Sequence, residues 1–87
     1  MFINFSPRFT RSYKKLPEHL KKDFDKKIEI FIKQPSHPSL HVHKLKGSLE
    51  SCHAFSLKDG YRVLFEIPAP QTINLLQVGP HKIYKEY

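Results

Sequence analysis

The chain has 87 residues, enough for one domain spanning 1–87 with one modest core. Fifteen Lys and Arg oppose eight Asp and Glu, a formal charge of +7 with histidine neutral, and the only cysteine, Cys52, excludes an internal disulfide or a four-thiolate metal site. No apolar run has the length of a secretory signal or a bilayer span, so a soluble cytoplasmic protein is expected.

Phe2-Ile3-Asn4-Phe5 reads as a first strand. Ser6-Pro7 then supplies an N-cap followed by proline at the first helical position, where its missing N–H costs nothing. A short helix runs from there to about Lys15, with Phe9 and Tyr13 at i, i+4. Leu16-Pro17 interrupts it, because a residue before proline is pushed out of the α region. Pro17 opens a longer helix whose Leu20, Phe24, Ile28, Phe31 and Ile32 form one apolar stripe of 3.6-residue period. Lys21, Lys22, Asp23, Asp25, Lys26, Lys27 and Glu29 are assigned to the solvated face. Two prolines within Gln34-Pro35-Ser36-His37-Pro38 end the helix.

The remainder reads as strands. Ala54 to Leu57 alternates, and Lys58-Asp59-Gly60 is turn chemistry. In Tyr61 to Ile67, residues Tyr61, Val63, Phe65 and Ile67 face one way and Arg62, Leu64 and Glu66 the other. Pro68 to Gln71 makes the next turn, and Thr72 to Val78, apolar on both faces, suits a central strand ended by Gly79-Pro80. The expected fold class is α+β, with two N-terminal helices packed on one face of a small, mainly antiparallel twisted sheet. Its opposite face is expected to be open.

The charge is uneven. Through Lys46 there are 11 basic and 4 acidic residues, net +7; from Gly47 onward there are 4 and 4, net zero. A local excess of this kind suits a polyanion or an acidic protein partner.

Three segments concentrate the chemistry: His41-Val-His43-Lys44-Leu-Lys46-Gly47, Gly60-Tyr-Arg62-Val-Leu-Phe65 and Val78-Gly-Pro-His81-Lys82-Ile-Tyr84. Arg62, on the face away from the helices, offers a planar fork of donors to a phosphate, against the plainer reading of an ion pair with Glu50, Asp59 or Glu66. His43 and His81 have side chains that gain and lose protons near neutrality. RNA carries its own nucleophile, the 2′-hydroxyl, so cleavage without a metal needs only a base, a cation and an acid. His37, His41 and His43 also raise a metal reading, since His-X-His on a strand puts two rings on one face. No carboxylate or cysteine stands at a recognised spacing beside them, and neither metal nor cofactor is expected. Phe55, Tyr61 and Phe65 are read mainly as packing residues.

In their order, the N-terminal strand, the Leu-Pro before a lysine-rich helix, His-Lys-Leu-Lys-Gly, Gly-Tyr-Arg-Val-Leu-Phe-Glu and Val-Gly-Pro-His-Lys-Ile-Tyr resemble the RelE/ParE toxin superfamily. The resemblance implies a RelE-like α+β fold in a type II toxin–antitoxin system and a cognate antitoxin as partner. It implies a ribosome-dependent endoribonuclease that cuts mRNA. The alternatives are a ParE-like inhibitor of DNA gyrase without nuclease activity and a non-toxic RNA- or protein-binding module on the same scaffold.

Carried over by position, Arg62 matches the RelE arginine at the scissile phosphate, and Tyr84 the tyrosine near the RelE C-terminus. His81 stands where the YafQ-like branch has a catalytic histidine. His43 stands where that branch has a histidine before Pro-Leu-X-Gly. His43, Arg62, His81 and Tyr84 are therefore the expected catalytic set, with the base and acid roles of the two histidines left open. Lys44, Lys46, His53 and Lys82 are the expected RNA-binding set, and the long helix with Arg8 and Arg11 is expected to meet ribosomal RNA. Where RelE carries two strand lysines this chain offers Ala54 and Ser56; His53 lies one position short and needs a slipped register to face the same way.

Overall fold

Ser6 ends the first strand and starts the first helix. Its backbone is extended, and its hydroxyl accepts from the Phe9 N–H at 3.0 Å while donating to the Leu76 carbonyl at 3.2 Å. The cap of the helix is thereby also its anchor to the sheet. The computed structural model describes residues 1–49 and 51–86. In chain order it has β1 (Phe2–Phe5), α1 (Pro7–Lys14), α2 (Glu18–Lys33), β2 (His43–Lys44), β3 (Cys52–Ser56), β4 (Tyr61–Ala69), β5 (Thr72–Pro80) and α3 (Ile83–Glu86). Among the described residues no helix is long and apolar enough to cross a membrane.

The sheet order is β1-β5-β4-β3-β2, with β1 parallel to β5 and every other neighbour antiparallel. A two-helix α+β architecture on a mainly antiparallel sheet therefore matches the sequence reading. β4 and β5 each run further than expected, through Ala69 and Pro80, and the turn between them narrows to Pro70-Gln71. Gln71 takes a φ of 66° there. A register shift between Leu64 and Phe65 leaves Leu76 as an extra residue on β5.

The principal core lies between the helices and the sheet. It joins Phe9, Leu16, Leu20, Phe24 and Phe31 to Phe55, Leu57, Val63, Phe65, Ile73, Leu75 and Val78. Phe31 stacks on Phe55 at 5.2 Å between ring centroids and meets Phe65 edge-on at 5.1 Å, arrangements that aromatic quadrupoles favour. Leu40, from the loop before β2, is also fully buried here.

Three assignments within this layer need correction. Ile32 is exposed, because at 100° per residue it falls outside the arc shared by Leu20, Phe24 and Phe31. Ile67 is exposed too, at the end of β4, where it rims a hollow instead of meeting a helix. Asp23, assigned to the solvated side, is buried: its Oδ2 accepts from the Lys58 N–H at 2.9 Å and lies 3.5 Å from Lys27 Nζ. With His19 Nε2 at 2.8 Å from Asp59 Oδ2, this latches α2 to the β3–β4 turn. That turn holds Asp59 and Gly60 at φ of 57° and 74°.

The opposite face is not open. Cys52, Leu64, Leu76 and Ile83 form a second, smaller core, with Leu45, Leu49 and Tyr84 packed against it. Cys52 is one of its buried members.

Candidate functional site

The second core is what places the expected catalytic residues. On β3 and β4, Ser56 faces Arg62, Ala54 faces Leu64 and Cys52 faces Glu66, so all six share the side away from the helices. Arg62 in turn faces Gly79 on β5. The chain leaves β5 at Pro80, passes His81 and Lys82, and returns as a hook whose Ile83 is buried against this face. Gly79 makes the return possible: a Cβ there would lie 2.6 Å from Ile83 Cγ2. Ile83 therefore sits where a side chain on residue 79 would be.

Seating Ile83 carries Tyr84 to Arg62 and packs its ring edge-on against His81, at 4.8 Å between centroids and 70° between planes. The Tyr84 hydroxyl is buried, without a hydrogen-bond partner of good geometry among the described residues. Burial pushes its phenol above the usual tyrosine range, while the charge and hydrogen-bonding capacity of the neighbouring Arg62 guanidinium pull it back down. Arg62 is half-buried and donates from Nη1 to the Tyr61 carbonyl at 3.3 Å. Two of the carboxylates expected to pair with it are engaged elsewhere. Asp59 pairs with His19, and Glu66 accepts from Asn74 at 3.1 Å; Glu50 lies outside the described residues.

Arg62, Tyr84 and His81 are thus brought together, with His81 exposed at the mouth. His43 lies on the same side of the sheet but two strands away, opposite Ala54, which is itself opposite Leu64. At about 4.8 Å per strand that is roughly 10 Å across the sheet. Its Nδ1 meets the His41 carbonyl at 3.0 Å. A carbonyl only accepts, so in the neutral ring Nδ1 carries the proton and exposed Nε2 is left to accept one.

Lys44 and His53 are paired with each other and point to the helix side, away from Arg62. The β3–β4 register is regular, and no slip turns His53 towards the arginine. His53 instead stacks on Phe65 at 5.6 Å, with its Nδ1 buried and unpartnered among the described residues. It lines a 190 Å³ apolar hollow with Met1, Val42 and Ile67. Lys46 is exposed on the loop after β2, and Lys82 is exposed on the hook.

The His-X-His reading changes as well. β2 begins only at His43, and His41 takes a left-handed φ of 49° after a short turn over Pro38–Leu40, so no strand aligns the two rings. Among the described residues no group of three or more His, Cys, Asp or Glu is placed to hold a metal.

Two helices laid on a five-stranded, mainly antiparallel sheet match the fold of the RelE/ParE toxin superfamily. The family model described as the ParE toxin of the type II toxin–antitoxin system parDE matches residues 3–83, and the chain belongs to that family. The solved structure of YafQ from E. coli BL21(DE3) superimposes with a TM-score of 0.79 at 12% identity, covering 94% of each chain. The toxin in the RelB–RelE antitoxin–toxin complex from Methanococcus jannaschii gives 0.75 at 24% identity, covering 97% of this chain and 98% of that one. A YoeB/ParE toxin from Agrobacterium tumefaciens gives 0.76 at 11% identity, covering 93% and 99%. At these identities the likeness is one of fold. Among curated protein sequences none matches this chain.

Proposed function

We propose that this toxin is a metal-independent endoribonuclease that cuts mRNA on the ribosome in the cytoplasm and is silenced by a cognate antitoxin. One observation carries the reading: a half-buried guanidinium without a carboxylate partner among the described residues, beside an unpartnered buried phenol and an exposed imidazole. In the proposed reaction the 2′-oxygen bonds to the adjacent phosphorus as the P–O5′ bond breaks. The 2′ proton passes to a base, a proton reaches the leaving 5′-oxygen, and the products are a 2′,3′-cyclic phosphate and a 5′-hydroxyl. Arg62 neutralises charge on the phosphorane oxygens. His81, at the mouth, exchanges a proton with the substrate, and the Tyr84 hydroxyl donates to a non-bridging oxygen. His43 offers Nε2 as a second proton-exchanging group from across the sheet.

Single-turnover cleavage of ribosome-bound message tests this. Arg62→Ala or His81→Ala should each slow cutting by roughly 10²–10³-fold while the fold is retained. A 2′-deoxynucleotide at the cut position should abolish it. Wild-type rates from both variants would remove these residues from the site.

A second reading is gyrase inhibition without nuclease activity. The ParE family match favours it, as does the small, uncharged character of Ala54 and Ser56 on the Arg62 face. Blocked DNA supercoiling with no cut in ribosome-bound message would establish that reading instead.

A further inference from the structure

β1 pairs with β5 only as far as Leu75. Beyond it α1 lies along the exposed edge of β5, fixed by the Val78 N–H donating to Ser12 Oγ at 3.1 Å and by Arg8 Nε donating to Gln77 at 3.0 Å. Between α1 and the hook this leaves an open groove of about 540 Å³. Arg8 and Arg11 of α1 and Lys15, which caps its C-terminus, stand on one wall at i, i+3 and i+7, and Lys82 stands on the hook wall. Among the described residues no carboxylate lines it, and Arg11, Lys15 and Lys82 have no ion-pair partner there. Its floor includes Gly79, the residue opposite Arg62, which brings the groove to the strand beside the candidate site.

Arg11, Lys15 and Lys82 carry like charges that repel one another, and a concave, partly apolar floor strengthens their field. Such a groove suits a chain of phosphates better than one small anion, since its cations extend over about 10 Å of helix at 1.5 Å per residue. Elsewhere the basic surface is interrupted: on α2, Lys27 is next to Asp23.

We propose that the α1–hook groove binds the phosphodiester backbone of single-stranded RNA flanking the linkage held at Arg62. Arg11, Lys15 and Lys82 neutralise its phosphates. The inference rests on the nuclease reading for the identity of the strand, and it assigns substrate binding to α1 and the hook in preference to the long helix.

The test is fluorescence anisotropy with a labelled, fully 2′-O-methylated RNA oligonucleotide, titrated with the full-length protein over a range of salt concentrations. Each phosphate that is no longer neutralised lowers the slope of log affinity against log salt by about 0.7 on single strands. Arg11→Ala/Lys15→Ala/Lys82→Ala should therefore reduce the slope by about 2. The same charge removed from α2, in Lys22→Ala/Lys26→Ala/Lys33→Ala, should reduce it by less than half as much. Circular dichroism should report an unchanged fold in both, because all six side chains are exposed. Equal slopes for wild type and the groove variant would overturn the proposal, and so would an α2 variant whose slope falls as far. Failure of the nuclease reading appears separately, as no cut in ribosome-bound message by the wild-type protein, and leaves the groove result intact.

Discussion

The two faces of this sheet are both covered, but by different means. On the helix face, thirteen buried residues from the two N-terminal helices, three strands and the loops beside them interlock. On the hook face, the described residues give four buried members, with Leu45, Leu49 and Tyr84 packed against them, and the cover comes from one short loop and one turn of helix. The first face holds the domain together; the second carries the candidate site. A four-residue helix is too short to persist without packing, so α3 exists because Ile83 is seated. Positioning of Tyr84 and His81 therefore depends on the thinner core.

The comparison breaks down if both faces respond alike to truncation. Phe65→Ala should cost about 3–5 kcal/mol, because the ring is fully buried against Phe31, Phe55 and His53. It should appear in urea unfolding as a lower midpoint with an unchanged slope. Ile83→Ala should shift that midpoint by less than half as much, since the hook separates locally before the domain unfolds. Equal shifts would show that the hook is part of the global core.

Gly79→Ala sharpens the same point with a smaller effect. Gly79 needs no unusual backbone angle; the restriction is space, since the added methyl carbon would sit 2.6 Å from Ile83 Cγ2. The expected cost is about 1–3 kcal/mol of overpacking, with, under the proposed nuclease function, slower cleavage as Tyr84 is displaced. Ile83→Ala removes the clashing methyl group. In a double-mutant cycle the pair should be less than additive by at least about 0.5 kcal/mol. An additive result would mean that the glycine serves some purpose other than admitting Ile83.

The helix face was largely legible in the sequence and the hook face was not. Ser6-Pro7, the Leu16-Pro17 break and the Leu20/Phe24/Phe31 stripe are local signals, each set by residues within a turn or two of one another. The second core has no such signal. Leu64 sits between Arg62 and Glu66 and reads as one apolar residue in a polar row, while its partners Leu45, Leu49, Leu76 and Ile83 come from distant segments. The groove had a partial signal, the i, i+3, i+7 spacing of Arg8, Arg11 and Lys15. Only the fold shows that Lys82 faces them. Of the residues named for catalysis, Arg62, His81 and Tyr84 are brought together because a strand and the segment after its neighbour meet, and His43 remains two strands away.

The finest test of the contrast compares two tyrosines. Tyr13, on the helix side, donates to Asp25 Oδ1 at 3.0 Å; burial raises its pKa, and the Asp25 hydrogen bond and charge raise it further. Tyr84, on the hook side, is raised by burial and lowered by Arg62. The neighbours act in opposite directions, so removing them should move the two phenols in opposite directions in an ultraviolet titration of phenolate. Asp25→Asn should lower the Tyr13 midpoint, and Arg62→Ala should raise that of Tyr84. For both groups the folded value lies above the unfolded value of 10.0. Their contribution to stability is therefore complete below that pH and is lost as pH rises through the folded values. Arg62→Ala, by widening the gap at Tyr84, should extend that loss to higher pH. If the Tyr84 midpoint instead falls or stays fixed, the guanidinium is not beside the phenol in solution, and the hook does not close over Arg62 as described.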